Sequence, residues 1–222
     1  MIKRSTQNVG IIVGHPDDEI LWTGGTLLLH PEWQCKIFTL CRRSDDDRVK
    51  KFFKVLSFLN ATGRMADLDD SPDQTPLPNH EVQNTILALI QGNHFDLLIT
   101  HGLNGEYTRH RRHEETSRAV LSLWYSGKVD TDTIWLFAYE DGHAAYLPKP
   151  EKDAHNTFRL PQKIWYRKYQ MITETYGFAP DSWEAKATPK TEAFWCLSSP
   201  EQMKAEYSER FPEIVSEEFW EK

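Results

Sequence analysis

The chain has 222 residues, enough for one sizeable α/β domain but marginal for two. Its composition is that of an ordinary globular protein, with 39% hydrophobic and 27% charged residues, and its net charge of −7 argues against nucleic acid as the main ligand. No apolar run approaches the roughly 20 residues that span a bilayer, and residues 1–10 lack the apolar stretch of a secretory signal. We therefore predict a cytoplasmic protein without a membrane span.

The first part of the chain alternates strand-like and helix-like segments. Residues 9–14 (VGIIVG) form a short apolar, β-branched run that predicts a buried parallel strand. A loop then leads into a predicted helix that ends near Leu29, and residues 34–41 (QCKIFTLC) predict a second strand. Apolar residues at helical spacing predict a further helix over residues 48–59.

The same alternation continues further along the chain. Helical spacing predicts helices over residues 81–91 and 114–125, and the apolar runs at residues 95–100 (FDLLIT) and 133–139 (TIWLFAY) predict strands. Strands that alternate with helices of about a dozen residues are typical of βαβ crossovers. We therefore predict an α/β fold with a mostly parallel sheet flanked by helices.

The remainder of the chain is predicted to be largely helical. Residues 161–176 have helical character, and the charged, tryptophan-containing segment after them predicts a helical C-terminal cap, not a separate domain. The expected organisation is a single domain over residues 1–222, with a core at about 8–176 and the cap at about 177–222.

Two polar motifs follow predicted strands. HPDDE occupies residues 15–19 directly after the first strand, and HRRH occupies residues 110–113 after the FDLLIT strand and a glycine-containing loop. Loops after parallel strands share one edge of an open sheet. The two motifs are therefore expected to converge, although about 95 residues separate them in the chain.

The residue types in these motifs suit a divalent metal. His15 and Asp18 are three residues apart on one short loop, so both side chains can point at one ion, and zinc accepts nitrogen and anionic oxygen ligands. His113 is the natural third ligand. Asp17 then lies unligated beside the metal, where it can take a proton from an activated water, and His110 can stabilise an oxyanion or protonate a leaving amine.

Each motif also has a purely structural interpretation. HPDDE can be a solvated acidic turn at the start of a helix, because Asp and Glu favour the first helical turn. The two histidines of HRRH can be exposed residues of a loop. The occurrence of both motifs after strands of one predicted sheet favours the functional interpretation.

HPDDE after an apolar strand, followed by TH, GEY and an HxxH pair, resembles the LmbE/PIG-L family of zinc-dependent de-N-acetylases. The resemblance covers about residues 9–125 and, more weakly, 161–176. It implies a Rossmann-like fold and hydrolysis of the acetamide of an N-acetylglucosaminyl conjugate. By position in the motifs, His15, Asp18 and His113 match the family's metal ligands, Asp17 matches its general base, and His110 matches the histidine that assists at the oxyanion and leaving group.

The sequence departs from the family pattern inside the second motif. Arg111 and Arg112 replace the usual proline and aspartate, and that aspartate normally orients the first histidine. An arginine side chain cannot accept a hydrogen bond. A nearby glutamate, Glu114 or Glu115, is therefore expected to orient His110.

Three further residues are candidates for contact with the substrate. Arg48 opens the helix after the second strand, where family members often place an arginine that meets the sugar. Asp70 lies in the acidic, proline-containing loop at residues 68–79, and Tyr107 stands near the position of the family's tyrosine. A solvated helix or loop position is the alternative for Arg48 and Asp70.

The sequence thus predicts a hydrolase that removes an acetyl group from an N-acetylglucosamine-type conjugate, with zinc or another divalent metal as cofactor. Two alternatives stay open: an amidase or deacylase for a non-sugar or thiol conjugate, and a metal- and glycan-binding protein with little turnover. The expected partner is a small N-acetylated sugar conjugate, not nucleic acid. Assembly into a homo-oligomer is left open.

Overall fold

The computed structural model describes residues 6–140, 142–143 and 145–210, with the backbone alone at 107, 108 and 210. The strands of this part of the chain are β1 (Asn8–Val13), β2 (Gln34–Thr39), β3 (Thr62–Met65), β4 (Leu97–Thr100), β5 (Ile134–Phe137), β6 (Asn156–Arg159) and β7 (Thr191–Leu197). The helices are α1 (Asp18–Leu29), α2 (Asp46–Leu59), α3 (Asn79–Ile90), α4 (Arg111–Tyr125), α5 (Gln162–Gln170), α6 (Trp183–Ala187) and α7 (Pro200–Arg210), and two π-helical turns span Gly105–Arg109 and Met171–Thr175. None of the helices in these described ranges is long and apolar enough to cross a bilayer.

The strands form one sheet in the order β3-β2-β1-β4-β5-β7-β6. The first five strands in this order pair in parallel, and in the centre Ile11 of β1 lies between Ile37 of β2 and Ile99 of β4. The predicted α/β fold with a mostly parallel sheet flanked by helices is therefore confirmed. The chain moves outward from β1 in one direction through β2 and β3, and in the other through β4 and β5. A crevice consequently opens at the carboxyl ends of β1 and β4, where ligands bind in open parallel sheets.

Apolar residues cover both faces of the central strands, as a parallel sheet between two helical layers requires. On one face, Ile12 packs in a buried cluster with residues of α3, α4 and α7. On the other face, Ile11 and Val13 pack with residues of α1 and α2. The uninterrupted apolar run of β1 follows from this double burial, and it fixes where the loop after β1 leaves the sheet.

The C-terminal region differs from the predicted helical cap in one element. α6 and α7 are helical, but β7 enters the sheet between β5 and β6 and is antiparallel to both. Phe194 of β7 is fully buried and pairs with Phe137 and Asn156, so its apolar run fills the core and not the inner side of a helix. The last part of the predicted cap, residues 211–222, lies outside the described residues.

Candidate active site

The turn between β1 and α1 carries the HPDDE motif in an unusual backbone conformation. Asp17 has a φ of 126° and a ψ of −32°, which residues other than glycine rarely adopt. Its N–H donates to Glu19 Oε2 at 2.9 Å, and Glu19 Oε1 in turn accepts from the hydroxyl of Tyr176. Backbone strain of this kind persists where surrounding contacts hold it, and it is concentrated at functional sites.

The loop after β4 delivers the second motif. Its π-helical turn over Gly105–Arg109 has positive φ values at Gly105 (70°), Glu106 (67°) and Arg109 (54°). This geometry turns Glu106 inward, where its side chain is fully buried. α4 begins directly after His110, so His113 lies in the first turn of the helix, and its N–H donates to the His110 carbonyl at 3.0 Å.

The structure brings the three residues predicted as metal ligands together. His15 Nδ1 and His113 Nε2 each lie 3.2 Å from Asp18 Oδ2, and the two nitrogens lie 3.3 Å from each other. Gly14, at the end of β1, makes this approach feasible, because a Cβ there would lie only 3.3 Å from His113 Cδ2. Three donor atoms from two loops thus form a nearly equilateral triangle.

Each of the two histidines is backed by a second carboxylate on its outer nitrogen. His113 Nδ1 lies 2.6 Å from Glu106 Oε2, and His15 Nε2 lies 3.2 Å from Asp70 Oδ1. A carboxylate accepts only, so these outer nitrogens carry protons. When a cation replaces the protons on the inner nitrogens, the neutral rings present their lone pairs to it. Carboxylates that orient metal-binding histidines in this way are typical of metal sites.

The triangle fits a divalent cation. Ligands held tetrahedrally at about 2.0–2.1 Å from zinc lie about 3.3 Å apart, which is the spacing of His15 Nδ1, Asp18 Oδ2 and His113 Nε2. Two imidazole lone pairs and a carboxylate oxygen that face one another also repel when nothing lies between them. A tetrahedral array leaves one further position for a water or a substrate oxygen.

The electrostatic field at the triangle favours positive charge. Burial alone lowers the pKa of His15, but hydrogen bonds with Asp18 and Asp70 raise it to about 9. Burial likewise opposes protonation of His113, yet the Asp18 carboxylate raises its pKa. Burial works against the charge of Asp18, but His113 and hydrogen bonds from the surrounding histidines hold its pKa well below the usual value. The same field that holds protons here attracts a cation.

Two other histidines adjoin the triangle. Among the described residues, His15/His110/His113 and Asp18/His101/His113 are also close enough to share an ion. However, His101 Nε2 already accepts the N–H of Gly14 at 2.9 Å, and its Nδ1 lies 3.0 Å from Glu106, so its lone pair is engaged. The His110 ring stacks on the His113 ring at 4.4 Å between centroids and therefore lies beside the triangle.

Asp17 and Arg48 form one side of the site. Arg48 lies in the first turn of α2, whose start is capped by the Asp45 carboxylate accepting from the N–H groups of Asp47 and Arg48. Its guanidinium lies 3.3 Å from the Pro16 carbonyl and 3.5 Å from Asp17 Oδ2. Burial and the adjacent Asp18 carboxylate raise the pKa of Asp17 well above its usual value, and Arg48 opposes the shift.

A cavity of about 180 Å³ connects these groups. Asp17, Arg48, Asp70 and His110 line it together with the three residues of the triangle. The side chain of Tyr107, a predicted substrate contact, lies outside the described residues. The structure thus brings seven of the eight predicted site residues into one cavity, namely His15, Asp17, Asp18, Arg48, Asp70, His110 and His113.

The expectation that Glu114 or Glu115 orients His110 is wrong. Glu114 pairs with Arg109 at 2.7 Å and with Arg118 at 2.9 Å, and Glu115 pairs with Arg112 at 2.6 Å. His110 Nδ1 is buried and has no hydrogen-bond partner among the described residues. Both glutamates are already engaged by arginine side chains near α4, so neither carboxylate reaches His110.

Arg112, which replaces the family's aspartate, points away from the triangle. It is 2% exposed, donates to the carbonyls of Asp69 and Thr75, the latter at 2.9 Å, and pairs with Glu115. Arg112 thereby ties the loop at residues 68–79 to α4. That loop carries Asp70, which also accepts from Arg42 and from Gln74 Nε2 at 2.8 Å.

Two contacts of the site, those that Glu106 and Asp70 make with histidines, were not predicted from the sequence. Glu106 stands in the GEY segment, but no local pattern shows that a π-helical turn directs it at His113 and His101. The contact of Asp70 with His15 joins residues far apart in the chain. An isolated glutamate beside glycine in a loop between a strand and an HxxH pair is the one signal that could have pointed to Glu106.

No known protein-family profile matches the sequence. A relative of Acanthamoeba polyphaga mimivirus, itself an uncharacterised protein, is 20% identical over 190 residues, which cover 78% of this chain and 81% of that protein.

Three solved structures resemble the fold. A triple mutant of a deacetylase in the teicoplanin biosynthetic pathway has a TM-score of 0.60 at 18% identity and covers 86% of this chain and 96% of its own. The zinc-inhibited form of the teicoplanin deacetylase Orf2 has a TM-score of 0.58 at 15% identity, and the match covers 93% of this chain and 94% of that chain. The conserved protein TT1542 from Thermus thermophilus has a TM-score of 0.61 at 14% identity, and the match covers 86% of this chain and 94% of that chain. The chain therefore has the fold of the LmbE/PIG-L de-N-acetylases, the family that its HPDDE and HxxH motifs resemble.

Proposed function

We propose that the protein is a divalent-metal-dependent de-N-acetylase that hydrolyses the acetamide of an N-acetylglucosamine-type conjugate. The observation that carries the proposal is the triangle of His15 Nδ1, Asp18 Oδ2 and His113 Nε2, with edges of 3.2–3.3 Å and a carboxylate outside the triangle, Asp17, in the same cavity. Solved deacetylases with the same fold support the reaction class.

His15, Asp18 and His113 hold the cation in this proposal, and Glu106 and Asp70 orient the two imidazoles. When bound, the cation supplies Lewis-acid polarisation of the acetamide carbonyl and acidifies a water. Two imidazoles and one carboxylate make zinc our first choice, although the same donors suit other divalent metals.

Asp17 acts as the general base. Its carboxylate is 8% exposed, and Arg48 beside it fixes its direction. As the water oxygen bonds to the acetamide carbon, Asp17 takes the water's proton. Asp17 then returns this proton to the nitrogen as the C–N bond breaks, so that the amine and acetate are the products.

His110 acts on the opposite side of the reacting carbonyl. It lines the cavity and is held against His113 and His15 at 4.4 and 4.9 Å between ring centroids. Burial, with the neighbouring His113 and His15, lowers the pKa of His110 to about 3. A neutral imidazole can donate one hydrogen bond to the developing oxyanion.

The alternative of a binding protein with little turnover rests on the replacement of the family's proline and aspartate by Arg111 and Arg112. The Arg112 guanidinium binds the loop at residues 68–79 and Glu115, and it does not enter the triangle. The replacement therefore leaves the proposed catalytic groups in place, which favours an enzyme. The cytoplasmic location and a homo-oligomeric state stay predictions.

Replacement of the proposed base tests the function directly. We expect Asp17→Asn to lower acetate release from an N-acetylglucosaminide by about 10²–10⁴-fold while the zinc content of the protein is retained, because the amide cannot accept the proton but leaves the triangle in place. The measurements are acetate release and zinc per chain by elemental analysis.

Asp46→Asn is the matched control, because Asp46 is an exposed aspartate at the start of α2. This variant should behave as the unchanged protein. Equal acetate release by Asp17→Asn and Asp46→Asn would refute the role of Asp17 as base. A panel with N-acetylated non-sugar amines and thiol conjugates then separates a sugar deacetylase from a broader amidase.

A further inference from the structure

The backbone of the proposed base, Asp17, has a conformation that an aspartate rarely adopts. Its φ of 126° lies in the region that favours glycine. Such a conformation persists only where the surrounding structure determines it. On one side, the Asp17 carbonyl accepts from the N–H groups of Ile20 at 2.9 Å and Leu21 at 2.8 Å, at the start of α1. The conformation therefore depends on the contact that fixes the Asp17 N–H on the other side.

A buried carboxylate provides that contact. The Asp17 N–H donates to Glu19 Oε2 at 2.9 Å, and the hydroxyl of Tyr176 donates to Glu19 Oε1. Glu19 is fully buried, and Tyr176 is 2% exposed. Because one carboxylate group takes both hydrogen bonds, the position of the Tyr176 hydroxyl determines where the oxygen that binds the Asp17 N–H lies.

The segment around Tyr176 also supports the side chain of Asp17. The Arg48 guanidinium lies 3.5 Å from Asp17 Oδ2 and over the ring of Phe178, at 4.9 Å from the ring centroid. Gly177, between the two aromatic residues, has a φ of 81°, which residues with a side chain rarely adopt. Both neighbours of this glycine therefore reach groups that contact Asp17, one at its backbone and the other at its carboxylate.

We propose that Tyr176 is a positioning residue for the general base. Through Glu19, its hydroxyl holds the Asp17 backbone in the conformation that keeps the Asp17 carboxylate in the catalytic cavity. This inference rests on the proposed function and adds to it a residue that lies outside both sequence motifs. Asp17 lines the cavity, whereas Glu19 and Tyr176 are not among the described residues that line it. Tyr176 thus acts on the reaction through Asp17 and not by contact with the substrate.

Removal of the hydroxyl alone tests the proposal. The protein is the full chain loaded with zinc, and acetate release from methyl N-acetylglucosaminide gives kcat and KM. We expect Tyr176→Phe to lower kcat about tenfold, because a misdirected base loses its alignment with the attacking water. KM and the zinc content should not change, since the triangle and the other lining residues stay in place. Tyr166→Phe, which alters an exposed tyrosine of α5, is the matched control and should keep the kcat of the unchanged protein.

Substitutions of Glu19 separate positioning from a general loss of structure. In Glu19→Gln, the amide oxygen can accept from the Asp17 N–H while the amide nitrogen donates to the Tyr176 hydroxyl. We therefore expect kcat within about threefold of the unchanged protein. Glu19→Ala removes both contacts and should lower kcat at least as far as Tyr176→Phe does. Adding Tyr176→Phe to Glu19→Ala should then have no further effect, because two residues that act through one contact are not additive.

Crystal structures of the unchanged protein and of Tyr176→Phe provide a measurement that does not depend on turnover. We expect the φ of Asp17 to leave the positive region in the variant and the contact of Asp17 with Arg48 to be lost. A φ that stays near 126° would overturn the proposal, as would equal kcat values in Tyr176→Phe and Tyr166→Phe. Absence of acetate release by the unchanged protein would refute the deacetylase alone, because the two structures still decide whether Tyr176 holds Asp17.

Discussion

Two of the buried clusters of charged side chains in the described part of the protein differ in how completely their donors and acceptors are paired. In the first, Lys168 Nζ lies 2.6 Å from Glu192 Oε1, and both side chains are fully buried. Glu192 also accepts from the N–H of Gly25 at 2.7 Å and from the N–H and hydroxyl of Thr26 at 2.6 Å. Every acceptor of this pair has a donor, and the charges cancel.

The second cluster is the triangle of His15, Asp18 and His113. There the outer nitrogens have carboxylate partners, and the inner atoms His15 Nδ1, Asp18 Oδ2 and His113 Nε2 converge at 3.2–3.3 Å on a point that protons or a cation can occupy. Burial of charge alone therefore does not identify a site. A buried cluster that is complete serves the fold, whereas a cluster whose ligand atoms converge on a common point can hold a cation.

The position of the complete cluster agrees with a structural role. It joins α1, α5 and β7, and α1 approaches so closely that a Cβ on Gly25 would lie 2.9 Å from Glu192 Oε1 and 2.3 Å from Leu160 Cδ1. A side chain at this position would have to displace Leu160 and Glu192. The pair fixes β7, one of the strands that the sequence did not predict, to the helices on one face of the sheet.

The largest expected effect on stability comes from breaking the complete cluster. Lys168→Met leaves the Glu192 carboxylate buried without its counter-charge, and we expect it to lower the free energy of unfolding by about 3–5 kcal/mol. The measurement is denaturant unfolding, with zinc per folded chain determined in parallel. The zinc content should not change, because Lys168 does not contact the triangle.

Lys163→Met is the control, since Lys163 is an exposed lysine of the same helix. It should change the free energy of unfolding by no more than about 0.5 kcal/mol. If Lys168→Met lowers the free energy of unfolding no more than Lys163→Met does, the buried pair of Lys168 and Glu192 does not stabilise the fold as we expect.

A smaller effect is expected from the residue that orients one side of the triangle. Glu106→Gln keeps the shape of the side chain but removes the charge that holds the proton on His113 Nδ1. We expect zinc affinity to fall by about 10–100-fold, as for other carboxylates that orient metal-binding histidines. Competition with a chelator of known affinity provides the measurement.

Glu81→Gln is the matched variant for this test, because Glu81 is exposed on α3. Its zinc affinity should equal that of the unchanged protein. An unaltered affinity in Glu106→Gln would show that the outer carboxylates do not prepare the triangle for a cation.

Much of the site was predictable from the sequence because its ligands lie in short motifs at the ends of strands. The apolar runs of β1 and β4 located the two loops, and parallel pairing placed those loops at one edge of the sheet. His15, Asp17 and Asp18 follow from one motif, and His113 from the other.

What the sequence did not reveal depends on tertiary contacts without a local pattern. Glu106 acts through a π-helical turn, and Asp70 acts through a loop that Arg112 anchors. β3 and β6 have only four residues each and no apolar run, so nothing in their composition marks them as strands. β7 is apolar on both sides, and a short apolar run of this kind does not distinguish a strand from a buried helix.

The most direct test of the proposed metal site is a zinc titration of metal-free protein followed by calorimetry, with His113→Ala and His80→Ala alongside the unchanged chain. His80 is an exposed histidine of α3 and serves as the control. We expect a single tight zinc site in the unchanged protein and in His80→Ala, and loss of that site in His113→Ala. Tight binding that survives His113→Ala, or no tight binding in the unchanged protein, would contradict it.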